Sequence, residues 1–267
     1  MSSLWLICLF TMGIHLIDTI AYSTSIVGVR TQKYALAWSL GSVVSLSARS
    51  IQTLQAPLWA KSIETNLQLG TSAILHSIQL VMLFAVLGTL IGILTIPTMH
   101  RFFAYAVEDL SKTQSMPRLL MKFFRLGSWK ILIKSITLPS KNNITQFKRF
   151  NDIPLKLVGV SVLIQAFSTV SVLSCLYAGA IQPDLRATLM SMSGVSNSIS
   201  VILHVILLGP GVAIIHDEVR NNTYSESYHR RFFVFMITAR LIGTLLSQLL
   251  ILPIATILIY IAKNLYA

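Results

Sequence analysis

TNLQLGTSAILHSIQLVMLFAVLGTLIGILTIPTM, from Thr65 to Met99, runs 35 residues without an Asp, Glu, Lys or Arg. An α-helix needs about 20 predominantly apolar residues to cross a hydrocarbon core, so this stretch is long enough to span a membrane alone. Leu157 to Pro183 and Ala187 to His216 are equally free of charge. Three more segments qualify but for one ionisable residue each: Leu4 to Gly28 holds Asp18, Tyr34 to Leu58 holds Arg49, and Phe232 to Ala262 holds Arg240. These segments predict an all-α, polytopic integral membrane protein with six transmembrane helices, at about residues 4–28, 34–58, 72–97, 157–181, 188–214 and 232–262.

The composition agrees. Of 267 residues, 54% are apolar and 11% charged, and the mean hydropathy is +0.71. A soluble domain carries roughly 25% charged residues to face water. The chain therefore reads as one transmembrane domain over residues 1–267, and the net charge of +12 is not evidence for nucleic-acid binding. Cys8 and Cys175 lie in apolar runs, where a free thiol behaves as a small hydrophobe. Met1 to Ile17 has no charge and no basic n-region, so it is expected to be the first membrane helix and not a cleaved signal.

Lys and Arg concentrate on the cytoplasmic side of membrane proteins. Sixteen of the 21 fall on one side of the six spans: Arg30 and Lys33, eleven between Arg101 and Lys156, and Arg220, Arg230 and Arg231. Lys61, Arg186 and Lys263 fall on the other, and Arg49 and Arg240 lie within spans. Both termini are expected outside. Residues 101–156 form a basic cytoplasmic loop in which Arg118 to Lys134, RLLMKFFRLGSWKILIK, interleaves cations with Leu, Phe, Trp and Ile. That pattern suits an amphipathic helix on anionic lipids of the inner leaflet. Three helices precede the loop and three follow it, so the halves are expected to have opposite topology, a 3+3 inverted arrangement.

Polar residues repeat at helical spacing in every span. The rows are Thr11, His15, Asp18, Tyr22 and Ser25; Ser42, Ser45, Arg49 and Gln52; Ser72, His76 and Gln79; Ser161, Gln165, Ser168 and Cys175; Ser193, Asn197, Ser200 and His204; and Arg240, Thr244 and Ser247. A helix in lipid gains nothing by exposing such groups, so six rows point to a shared polar cavity. At about 1.5 Å per residue from the cytoplasmic ends, Asp18 lies roughly 15 Å deep, Arg49 roughly 22 Å and Arg240 roughly 12 Å. A charge at such depth pairs or faces water. Asp18 can neutralise one arginine as a structural ion pair, which leaves a guanidinium suited to a phosphate or carboxylate. Pro57, Pro97 and Pro210 fall at or near expected helix ends, whereas Pro253 lies within the sixth helix. His216, Asp217 and Glu218 read as a solvated loop. The sequence lacks an HExxH pair, a GxSxG elbow, a Walker A loop and an acidic cluster for Mg²⁺, so no enzyme activity, cofactor or metal is expected.

Particular strings carry a further signal. HLIDTIAYSTSIVGVRT (His15 to Thr31), SARSIQTLQAPLW (Ser47 to Trp59), SMPRLL (Ser115 to Leu120), LYAGAIQPDLRAT (Leu176 to Thr188) and RLIGTLLSQLLILP (Arg240 to Pro253) together resemble the lipid II flippase Amj family, in order from the first helix to the last. The resemblance implies a multi-pass protein of the bacterial cytoplasmic membrane that moves lipid II, the undecaprenyl-pyrophosphate-linked peptidoglycan precursor, from the inner to the outer leaflet. It transfers no catalytic residue. Joined to the residue reading, it makes Arg49 and Arg240 the contacts to the pyrophosphate, with Asp18 and His15 setting their charge state or coupling to a proton. Ser, Asn and Gln of the other rows, Gln52, Gln165 and Asn197 among them, are then candidates to meet the sugars and peptide, and Tyr22 is a further substrate-binding candidate. Two other classes share some of these features. A secondary transporter of a small anion would use the same arginines without a polyprenyl lipid, and a membrane-embedded lipid-modifying enzyme would leave an altered product.

Overall fold

The computed structural model describes residues 2–66, 70–123, 126–137 and 152–265, and every regular element among them is helical. The long helices are α1 (Ser2–Thr31), α2 (Tyr34–Asn66), α3 (Thr71–Thr113), α6 (Leu155–Ile181) and α9 (Glu226–Leu265). Two short helices, α4 (Met116–Phe123) and α5 (Leu126–Ser135), follow α3. Helix α7 (Arg186–Leu203) continues through a π turn at His204–Leu208 into α8 (Gly209–Arg220), and the three pieces form one arm. All-helical structure is what lipid demands, because each backbone N–H and C=O then finds its partner within its own segment.

The helices overrun the expected spans. α3 ends at Gln114, which adopts a left-handed conformation (φ 48°) and donates its N–H to Leu110 O at 2.8 Å, a common helix stop. Pro57 and Pro97 therefore lie inside α2 and α3, not near helix ends, as Pro253 does inside α9. Among the described residues, five helical segments are long and apolar enough to cross a membrane: α1, α3, α6, the α7–α8 arm and α9. Helix α2, with 33 residues, is long enough but more polar, carrying Arg49, Lys61 and Glu64 besides its Ser and Gln rows. Arg118 to Lys134 is helical in two pieces, α4 and α5, which pack on α3. Residues 124–125 and 138–151 of the basic loop lie outside the described residues.

The two halves repeat one packing scheme. In the first, α1 packs against α3 and α2; in the second, α6 packs against α9 and α7. Close approach comes from small residues in matching strings, LGTLIG at Leu87–Gly92 and IGTLLS at Ile242–Ser247. Gly88 sits against the Met12 carbonyl of α1, and Gly243 against the Val162 carbonyl of α6. A side chain at either position would hold the helices apart. Thr89 and Thr244, the residues that follow, are fully buried, and each donates its hydroxyl at 2.9 Å to the carbonyl four residues back.

Apolar packing differs between the two ends. At the end holding both chain termini, Ile7, Trp59, Ile78, Tyr177, Leu189 and Leu258, one residue from each long segment, belong to a single cluster. At the end holding the basic connections there are two clusters. Val27, Leu40, Phe103 and Leu119 join α1 to α4, while Ile26, Ile164, Leu208 and Phe232 join α1 to the second half. The bundle is thus closed at one end and parted at the other.

Candidate substrate cavity

A cavity of about 1090 Å³ occupies the space between the halves and runs from Thr11 and Trp59 to Tyr34 and Arg220 at the basic end. Sites for drug-sized ligands run to about 300–1,000 Å³, so this cavity stands at the upper end of that range. Helices α1, α6 and α9 form its back wall, with α2 on one side and the α7–α8 arm on the other.

All eight residues singled out from the sequence line it: His15, Asp18 and Tyr22 on α1, Arg49 and Gln52 on α2, Gln165 on α6, Asn197 on α7 and Arg240 on α9. The α1 and α2 rows line it completely. The α3 row does not. Ser72, His76 and Gln79 are exposed on the outside of the bundle, where His76 Nδ1 lies 2.7 Å from Ser72 O; Ala85 alone represents α3 among the lining residues. Periodicity shows that a face is polar, not what it faces.

The two intramembrane arginines differ sharply. Arg240 is 7% exposed and engaged on three sides: Nε donates to Thr19 Oγ1 at 3.1 Å, Nη1 to Gln165 Oε1 at 3.0 Å, and Nη2 to Asp18 Oδ2 at 3.3 Å. These partners sit on α1 and α6, so the guanidinium fastens both first helices to α9. Thr19 is held in turn by donating to His15 O at 2.6 Å, and Gln165 Nε2 donates to Thr169 Oγ1 at 3.1 Å. The Arg49 guanidinium is exposed to the cavity and makes no hydrogen bond or ion pair among the described residues. Of the two intramembrane arginines that line the cavity, one is therefore satisfied by protein and the other has no protein anion among the described residues; Arg220 adds a third cation at the mouth.

Sequence reasoning missed several residues. Thr19 lies four residues after His15, and Gln55 three after Gln52, so both continue rows already found. Gln55 is buried and donates to Ile7 O at 2.9 Å and Thr11 Oγ1 at 2.6 Å, tying α2 to α1 at the closed end. His216, Asp217 and Glu218 do not form a loop: they lie on α8, where His216 Nδ1 is 3.2 Å from Nε2 of the fully buried His229. Asp217 and Arg220 line the mouth. His15 Nδ1 is buried without a partner among the described residues. Both cysteines are free and buried.

The chain matches the model of the family described as "Amj: Alternate to MurJ" over residues 10–262. It is also similar to a protein of Bacillus subtilis (strain 168) named "Lipid II flippase Amj", with 30% identity over 97% of this chain and 96% of that one. No solved structure matches.

Proposed function

We propose, from the premise that the chain belongs to the Amj (Alternate to MurJ) family, that it is a lipid II flippase: a multi-pass transporter of the bacterial cytoplasmic membrane that carries lipid II from the inner to the outer leaflet. The observation that carries this reading is the cavity, in whose largely apolar lining hydroxyls, amides and the unpaired Arg49 are set. A polyprenyl-linked saccharide needs such a shelter, since its head cannot enter hydrocarbon without losing its hydrogen bonds to water. A small anion needs far less room.

In this reading α2 is the sixth span. Its polar rows face the cavity and not lipid, which accounts for its lower hydropathy. Both termini lie outside, the basic connections lie in the cytoplasm, and the parted end faces the lipid's entry side. The molecule then rests inward-open, sealed toward the outside by the Ile7, Trp59 and Tyr177 cluster. The matching halves, in opposite sense across the membrane, give the outward-open state by parting that cluster and joining the two at the basic end. Exposed Trp129, Ile131 and Ile133 beside exposed Arg118, Lys130 and Lys134 support a resting place for α4 and α5 on anionic headgroups.

The residue roles divide. Arg49 contacts the pyrophosphate. Arg240, with three of its five N–H donors committed to protein, holds the back wall and sets the field that a phosphate enters. Gln52, Gln165, Asn197 and Tyr22 meet the sugars and peptide, and Asp18 and His15 lie where a proton could be taken up from the cavity. Transport requires no change to the lipid's covalent bonds.

The direct test is depletion of the other lipid II flippase in a cell supplied with this protein. Restored growth and unmodified lipid II in the outer leaflet are expected. Failure to restore either, with the protein present in the membrane, would sink the reading; a chemically altered lipid by mass spectrometry would point to an enzyme instead.

A further inference from the structure

The cavity has a side opening, and its lips are dissimilar. Helix α2 packs on α1, α3 and α6, and the α7–α8 arm packs on α6, α9 and α1, with no extended packing of α2 on the arm among the described residues. Between them the cavity wall is a slot. On the α2 lip, Trp38 is 68% exposed and Arg49 lies farther along the same helix, also exposed. The opposite lip is the π turn, where Leu208 is anchored in the Phe232 cluster while Val205 and Ile206 are 61% and 63% exposed. Trp38, Arg49 and Val205 line the cavity as well as being exposed. A π turn is an uncommon interruption of a helix and tends to occur at functional positions; here three successive apolar residues, Val205 to Leu207, are exposed at the edge of the cavity.

We propose that this slot between α2 and the π turn is the portal for the polyprenyl tail of the transported lipid, with Arg49 on its lip holding the phosphate that joins tail to head. The inference rests on the flippase reading above and assigns the path of the tail, which that reading leaves open. A long isoprenoid gains nothing by leaving hydrocarbon for a cavity that also presents Asp18, Arg49, Gln52 and Asn197 and must hold the saccharide, so it stays in lipid. The saccharide stays in the cavity. The phosphates, at the junction, must therefore sit where cavity meets lipid, and the cation that meets them belongs at the edge. Arg49 is at that edge without a protein partner among the described residues. Arg240 is at the back wall, held by Thr19, Gln165 and Asp18. The occupant is thus an anionic lipid with its charge at the tail junction, presented to a cation that shares a lip with exposed Trp38, about three helical turns away, and has exposed Val205 on the opposite lip.

Photo-crosslinking tests the placement. A benzophenone amino acid replaces Trp38, Val205 or, on the outer face of α9, Leu249, which is 74% exposed and does not line the cavity. Each variant is reconstituted in vesicles of phosphatidylethanolamine and phosphatidylglycerol doped with undecaprenyl pyrophosphate, irradiated and read by mass spectrometry. Polyprenyl adducts are expected at positions 38 and 205, several-fold above position 249, and Arg49→Gln should remove that enrichment while Arg49→Lys retains it. Equal polyprenyl yields at all three positions, or phospholipid adducts alone at the slot, would overturn the portal, as would enrichment indifferent to Arg49→Gln. Labelling requires no transport, so the two readings fail separately. A protein that labels at the slot but moves no lipid II contradicts the flippase reading, and one that moves lipid II without slot enrichment contradicts the portal.

Discussion

Arg240 Nη2 and Asp18 Oδ2, 222 residues apart in sequence, meet at 3.3 Å on the back wall of the cavity. The pair is asymmetrically buried, with side-chain exposures of 8% for the arginine and 32% for the aspartate, which faces the cavity. Removing one member of a fully buried pair costs about 3–5 kcal/mol, and the exposure of Asp18 places this pair toward or below the low end. Arg240→Gln and Asp18→Asn are each expected to lower the unfolding temperature in detergent. The double variant should lose less than the two losses added, with a coupling of about 0.5–3 kcal/mol. Strict additivity would show that the two groups do not interact.

Helix contact at glycine gives a second prediction. A methyl group at Gly243 would lie 2.6 Å from Val162 O and 2.8 Å from Gln165 Cβ, and one at Gly88 would meet the Met12 backbone. Gly88→Ala and Gly243→Ala are expected to destabilise by about 1–3 kcal/mol, the usual range for overpacking. Gly13→Ala and Gly194→Ala, with nothing within 4 Å of the added carbon, should be silent in the same thermal unfolding measurement. A loss at Gly13 as large as at Gly88 would contradict the packing of α3 on α1.

Much of this architecture is legible in the amino-acid order alone. Lengths with at most one charge mark the long segments, and every residue of the α1 and α2 rows lines the cavity, although the apolar and small residues between them, such as Ile14, Trp38 and Gly41, line it too. The α3 row misleads because Ser72, His76 and Gln79 have the same spacing as a cavity face while pointing out of the bundle; only the packing of Gly88 and Gly92 against α1 orients that helix. Depth along a helix, roughly 22 Å for Arg49 and roughly 12 Å for Arg240, does not say which of them is paired. What separates them is a hydroxyl and an amide, Thr19 and Gln165, brought in from helices far away in sequence. The π turn at His204–Leu208 leaves no mark in hydrophobic periodicity, since one extra residue per turn in an apolar run stays apolar.

Because Cys8 and Cys175 are both buried, introduced thiols can be read against a quiet background. Ser45→Cys and Asn197→Cys line the cavity on opposite sides, whereas Gln79→Cys is exposed outside it. A membrane-impermeant thiol reagent applied to inside-out vesicles should modify the first two and spare the third, and right-side-out vesicles should protect all three. Modification of the cavity positions only from the outside would reverse the orientation argued from the basic connections.

The most direct measurement compares wild-type protein with Arg49→Gln and Arg49→Lys in vesicles carrying lipid II, following the fraction of headgroup that becomes accessible to an impermeant enzyme added outside. Wild-type protein should raise that fraction above protein-free vesicles, Arg49→Lys should retain most of the rise, and Arg49→Gln, equally folded and equally inserted, should fall to the protein-free level. An Arg49→Gln variant that moves lipid II as fast as wild type would contradict the assignment of Arg49 to the pyrophosphate.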